Sequence, residues 1–195
     1  MKRSLSIFAA AITVLLMMTA CATAPRSDAG KSELRISADN ALAKAQNSDP
    51  SFAKTILDSA GYVVFPAASK DRTSAGASSA KGALYEYGTF VGFCDLTQAP
   101  TDLQVRAPAF TEIIVLQSEE AVRDFKSGKL AVDGALAAQA PKSTSGTNVK
   151  YIKGVAAYVI DDAGQMYEAS VGGQKFNYRP TDRTTAVAEL DGLQN

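Results

Sequence analysis

Between Gly61 and Pro180 the chain is cut into short β-branched and aromatic runs by glycine, proline and polar loops. That pattern favours strands over long helices. Gly61-Tyr-Val-Val-Phe65 is the first run, and Pro66 is expected to end it. Residues 67–81, rich in Ala, Ser, Gly, Lys and Arg, read as a loop long enough to carry function. Ala83–Tyr87 and Thr89–Phe93 are strand candidates around Gly88, and Phe110-Thr-Glu-Ile-Ile-Val-Leu116 has the strongest strand composition. Residues 141–148 read as a second exposed loop. Val149–Ile160 and Gln165–Val171 form a hairpin through Asp161-Asp162-Ala163-Gly164, and Gln174–Tyr178 is a last strand, stopped by Pro180.

Helical period appears in three places. From Ser32 to about Asn47, Leu34, Ala38, Ala41, Leu42 and Ala45 recur at helix spacing and give a small-residue face suited to packing on a sheet. Asp49-Pro50 breaks this helix, and Ser51–Ser59 form a second one with Phe52, Ile56 and Leu57 turned inward. A third follows Leu116: Ser118 is its N-cap, Glu119 and Glu120 sit at the positive end of its dipole, Val122 and Phe125 form its apolar face, and Gly128 stops it. The expected fold is a single small α+β domain. Its strands are expected to curl into an antiparallel, barrel-like core, with an N-terminal helical segment, one helix following a strand, and the helices against one side.

Composition narrows the chemistry. Histidine is absent, which removes the commonest general base near neutral pH, every Ser-His-Asp or Cys-His arrangement and most zinc sites. No residue combination supports a metal site or other cofactor; Gly128-Lys129 lacks the preceding glycine of a phosphate-binding loop. Glu112, Glu168 and Asp95 are the carboxylates one would pair for acid–base work, but nothing in the sequence fixes their separation. The chain therefore reads as non-catalytic. Its 20 basic and 20 acidic side chains give no basic excess pointing to nucleic acid.

The amino terminus has its own logic. Lys2 and Arg3 precede an uncharged run from Leu5 to Met18, too short for a comfortable transmembrane span but suited to a signal peptide. The run closes on Met18-Thr19-Ala20-Cys21, which resembles the bacterial lipobox. That resemblance implies cleavage before Cys21, diacylation of its thiol and acylation of the new amino terminus. Ala22 after the cysteine implies sorting to the outer membrane. The alternative is an ordinary secretory signal cleaved near Ala22 or Ala24. Residues 1–20 are thus read as signal peptide, 21–31 as a lipid-anchored flexible tether and 32–195 as the folded domain. Two or more acyl chains hold a protein stably on a bilayer, at about 0.8 kcal/mol per buried methylene. With Cys21 acylated, Cys94 has no intramolecular partner, so the fold stands on its core without a disulfide. Cys94 itself reads as a small buried apolar residue.

Three further segments resemble one family. Ser59-Ala-Gly-Tyr-Val-Val-Phe-Pro66 is similar to the opening of SYLF domains. The stretch from Glu112 to Lys126 looks like that family's strand–helix unit, and the one from Gly164 to Phe176 resembles the closing hairpin of its bacterial members. The resemblance spans about residues 38–182. It implies lipid binding: eukaryotic members recognise phosphoinositides, and bacterial members are often secreted or lipid-anchored. The chain departs from the family at 101–107, Thr-Asp-Leu-Gln-Val-Arg-Ala, which keeps Gln104 but lacks the expected glycines.

A phospholipid head group needs cationic side chains and backbone amides converging on a phosphate. Candidates are Lys70, Arg72 and Lys81 in the first long loop, Lys175 and Arg179 around the last strand, and Arg106 in the divergent segment. Any one of them alone reads as a solvated surface charge; only clustering would favour a site. Two functions are therefore expected to compete. One is an envelope lipoprotein whose domain binds anionic phospholipid at the membrane. The other is an envelope protein that binds a protein or cell-wall partner and touches lipid only through Cys21.

Overall fold

The structure, a computed structural model, describes residues 25, 27–69, 78–98, 109–130, 138–141, 151–169 and 174–181. Cys21, Lys70, Arg72 and Arg106 lie outside these residues. The order of elements is α1 (Asp28–Ser48), α2 (Pro50–Leu57), β1 (Gly61–Ser69), β2 (Ser78–Glu86), β3 (Thr89–Gln98), β4 (Ala109–Leu116), α3 (Glu119–Lys126), β5 (Ala138–Pro141), β6 (Val155–Ile160), β7 (Met166–Ala169) and β8 (Gln174–Pro180).

All eight strands belong to one sheet in the order β5-β7-β6-β4-β1-β2-β3-β8, and every pairing is antiparallel. The α+β class is as expected. The barrel-like closure is not: among the described residues β5 and β8 are the two ends of an open sheet.

Local chemistry explains most boundaries. Ser27 caps α1 by accepting from the Gly30 amide at 3.2 Å, so the helix begins four residues earlier than its apolar period suggests and takes in the end of the expected tether. The helix stops because the residue before a proline avoids the helical region. Asp49 is extended (φ −141°) and turns to cap α2, accepting from the Ser51 amide at 2.9 Å. In α2 the buried stripe is Phe52, Thr55 and Ile56. Leu57, expected inside, is exposed, because it stands about 100° around the helix from Ile56. Pro66 does not end β1. It sits where the β1–β4 register shifts, between Phe65 and Ala68, and at such an irregularity a missing N–H breaks no ladder bond. The Ser118 cap, both N-terminal glutamates and Gly128 stand as the sequence suggests, with Ser118 Oγ accepting from the Ala121 amide.

Side-chain alternation splits the core between the two faces of the sheet. On one face α1 and α2 cover Tyr62, Val64, Ala83, Ile113, Val115, Tyr158 and their neighbours. On the other, α3 inserts Val122 and Phe125 among Val63, Phe65, Leu84, Leu96, Ile114 and Phe176. Helices therefore lie on both sides, not one. With both faces covered, the central strands carry continuous apolar runs, as in the fully buried β6.

Candidate functional site

The three described cationic candidates fall on β2 and β8, the strands that flank β3 at one edge of the sheet. Lys81 of β2 is in register with Asp95 of β3, and Asp95 with Asn177 of β8. One row along, Ser79, Thr97 and Lys175 oppose one another. On the other side the row is Ala83, Phe93 and Arg179. Cross-strand partners share a face, and so do alternate residues along a strand. All nine positions therefore belong to the α1 side of the sheet, but α1 does not reach most of them: Ser79, Lys81, Thr97, Lys175 and Asn177 are exposed. Lys81 is thus a strand residue, not a loop residue as expected.

Asp95 organises this strip. Its Oδ2 lies 3.2 Å from Arg179 Nη2, with the carboxylate side chain 8% and the guanidinium 39% exposed. This is a diagonal contact between adjacent strands. Oδ1 of Asp95 is buried without a hydrogen-bond partner among the described residues. Asp95 therefore neutralises one of three cations, and the strip presents Lys81 and Lys175 to water beside the Asn177 amide and the Ser79 and Thr97 hydroxyls.

An aromatic row fixes the inner border of the strip. Tyr62 and Tyr85 stack at 5.0 Å, Tyr85 meets Phe90 edge-on at 5.8 Å, and Phe90 meets Phe93 at 5.0 Å. Two residues of α1 pin the row: Arg35 lies over the Phe90 ring at 5.6 Å, and Tyr85 Oη donates to Asp39 Oδ1 at 2.5 Å. Burial, then the Asp39 contact, push the Tyr85 phenol far above its ordinary range. The row behaves as apolar scaffold.

The other face holds a different polar feature. Glu112 of β4 is fully buried, and its Oε1 accepts from Gln174 Nε2 at 2.7 Å. Glu112 Oε2 and Gln174 Oε1 are buried without partners among the described residues. Desolvation pushes the Glu112 carboxyl up to about 7, and the Gln174 bond opposes that rise. Asp95 and Glu112 thus point to opposite sides of the sheet and cannot act as a carboxylate pair. Cys94 faces the same side as Glu112, buried and free; burial pushes its thiol up, away from the nucleophilic thiolate. Among the described residues no three Cys, Asp or Glu side chains converge as a metal site.

Of the sequence candidates, the structure gathers Lys81, Lys175 and Arg179 on one face. Lys70, Arg72, Arg106 and the lipidation candidate Cys21 fall outside the described residues. Sequence reasoning missed Asp95 as the partner of Arg179 and Gln174 as the partner of Glu112. Strand parity alone could have put Arg179 and Lys175 on one face; pairing Asp95 with them needed the register.

No family model matches this chain, and no match was found among curated proteins.

Proposed function

We propose that the protein is a non-catalytic cell-envelope lipoprotein, anchored through Cys21, whose SYLF-like domain binds anionic phospholipid head groups along the β2–β3–β8 strip. One observation carries this reading: Lys81 of β2 shares one face of three adjacent strands with Lys175 and Arg179 of β8, nearly a hundred residues later, and among the described residues a single carboxylate offsets them. An ammonium group and an exposed amide or hydroxyl on neighbouring rows are what a phosphate diester can engage at a surface. The strip is open and solvated, which suits a head group presented by a bilayer better than a small molecule needing enclosure.

The absence of histidine and the separation of Asp95 from Glu112 across the sheet support a binding rather than a catalytic role. The test is co-sedimentation of the unacylated mature chain (residues 21–195 with Cys21→Ser) with anionic and neutral vesicles at two salt concentrations. Salt-sensitive binding to anionic vesicles, reduced by Lys81→Gln with Lys175→Gln, is the expected result. Failure to bind either membrane would move the function to a protein or cell-wall partner.

A further inference from the structure

One end of the sheet is built differently from the other. Gly61 is in register with Glu86 and with Leu116, and Leu116 with Val155. The end of α2, the β2–β3 turn and the turn before β6 therefore lie together, and the Tyr87 amide donates to the Ala60 carbonyl at 3.2 Å. This end exposes Leu57 (82%), Tyr87 (69%) and Ile152 (41%). Ile36 is the fourth exposed large hydrophobic among the described residues. It follows Arg35, which lies over Phe90, close to the same β2–β3 turn. At the opposite end, the β6–β7 turn shows water Asp162, Ala163 and Gln165.

The turns themselves add a second observation. Tyr87 and Lys153 are the two non-glycine residues of positive φ among the described residues, at 48° and 51°. Each precedes a glycine at +79° or +77°. Both are two-residue hairpin turns of the type in which Asn or Asp ordinarily takes the first position. An aromatic ring there costs backbone energy that Asn would spare; its hydroxyl donates to Glu119 Oε1 of α3 at 3.1 Å, yet the residue stays 69% exposed. Its exposure is the feature left to explain.

The course of α1 indicates what covers this end. The helix crosses from Phe90, under Arg35, to the β6–β7 turn, where Lys44 Nζ donates to the Asp162 carbonyl at 3.3 Å. Its first residue lies seven positions before Arg35, roughly 10 Å further out at helical rise. Cys21 precedes the cap Ser27 by six residues and can stand at most about 20 Å from it. The tether to an acylated Cys21 therefore leaves the domain on the side of the apolar turns and not at the Asp162 turn.

We propose that this end of the sheet rests in the membrane, with Leu57, Tyr87, Ile152 and Ile36 entering the interfacial layer of the bilayer to which Cys21 ties the chain. The proposal rests on the lipoprotein reading and is an orientation distinct from docking by the strip, since Lys81 and the Lys175 row lie roughly 17 and 24 Å along the strands from Glu86 at this end. Three ion pairs lie near the turns: Lys54 with Asp58 at 2.6 Å, Arg123 with Glu119 at 3.9 Å, and Lys126 with Glu86. Lys153 is exposed in the turn before β6 as well. The apolar side chains carry the contact, so salt should weaken it little. Tethering raises the effective concentration of the surface, so a weak contact suffices to orient the domain.

The chain contains no tryptophan, so a single introduced indole reports on its own site. The acylated mature chain carrying Leu57→Trp, reconstituted in phosphatidylcholine vesicles, should emit to the blue of the unacylated Cys21→Ser chain carrying the same substitution in buffer. It should also lose most of its emission to brominated lipid, in low and high salt alike. Ile152→Trp should behave the same way, whereas Ala163→Trp should stay open to acrylamide. Equal acrylamide access for Leu57→Trp and Ala163→Trp would overturn the proposal. So would a blue shift seen in whole envelopes but not in pure lipid, which would assign the surface to a protein partner. Removal of Lys81 and Lys175 should leave the Leu57→Trp signal intact, so failure of the head-group reading and failure of this one are told apart.

Discussion

Gln174 Nε2 donates to Glu112 Oε1 at 2.7 Å although β8 stands four places from β4 in the sheet. Flat strands about 4.8 Å apart would put those backbones roughly 19 Å from one another, beyond the reach of two such side chains. The sheet therefore bends over the α3-side core while remaining open, and Phe176 follows Gln174 inward to meet Phe65 at 6.2 Å and Phe125 at 5.0 Å. The hydrogen bond and these rings bring the edge strand that carries Lys175 and Arg179 over the core.

This contact makes stability depend on pH. The Glu112 carboxyl is raised from 4.5 to about 7 by burial, so the folded chain holds a proton that the unfolded chain releases. Stability is full below the unfolded pKa and falls as pH rises through about 7, by about 3 kcal/mol if the whole shift is realised. Glu112→Gln keeps a neutral partner for Gln174. It should match the parent near pH 4, exceed it by about that amount at pH 8.5, and flatten the profile in denaturant melts.

Asp95 and Arg179 yield a prediction of opposite sign for binding and stability. Asp95→Asn removes the charge that offsets Arg179 and should strengthen salt-sensitive binding to anionic vesicles. It should cost about 1 kcal/mol of stability, since the guanidinium is 39% exposed and solvent screens the pair. Unchanged binding would mean that the strip does not meet the lipid.

Gly92 controls how closely β8 approaches β3. A Cβ there would press on the Arg179 carbonyl and lie 2.7 Å from Tyr178 Cε2. Gly92→Ala should lower stability by about 1–3 kcal/mol through overpacking and weaken vesicle binding together with it. Gly88→Ala meets no atom within 4 Å, though its φ of +79° is strained for alanine. It should lose about 1 kcal/mol and retain binding.

Adjacent residues of α2 give the simplest check on packing. Ile56 is 6% exposed, and Ile56→Ala should cost about 2–5 kcal/mol. Leu57→Ala, at the exposed neighbour, should stay within about 0.5 kcal/mol in chemical denaturation of the unacylated chain.

How far the sequence reached follows from what each signal encodes. Caps are local, so Ser118, Gly128 and the Asp49-Pro50 break were readable from neighbouring residues. Strand composition is local too, and Phe110–Leu116 stands where expected, one residue longer at its start. Leu57 was misplaced because a short apolar run does not reveal which residue leaves the buried stripe. Pro66 was misplaced because a register irregularity is a property of two strands. The candidate site was half legible for the same reason. Parity along β8 pairs Lys175 with Arg179, but the arrival of Lys81 and Asp95 beside them is a matter of register between segments nearly a hundred residues apart. The Glu112–Gln174 contact needs, in addition, the bend of the whole sheet.

The central claim is that the domain reads anionic head groups through the β2–β3–β8 strip. The most direct measurement is co-sedimentation of the unacylated mature chain with anionic vesicles at low and high salt, beside its Lys81→Gln/Lys175→Gln variant. The account predicts binding to anionic but not neutral vesicles, lost at high salt and strongly reduced in the variant. Equal sedimentation of the variant and its parent, or no binding by either, would contradict it.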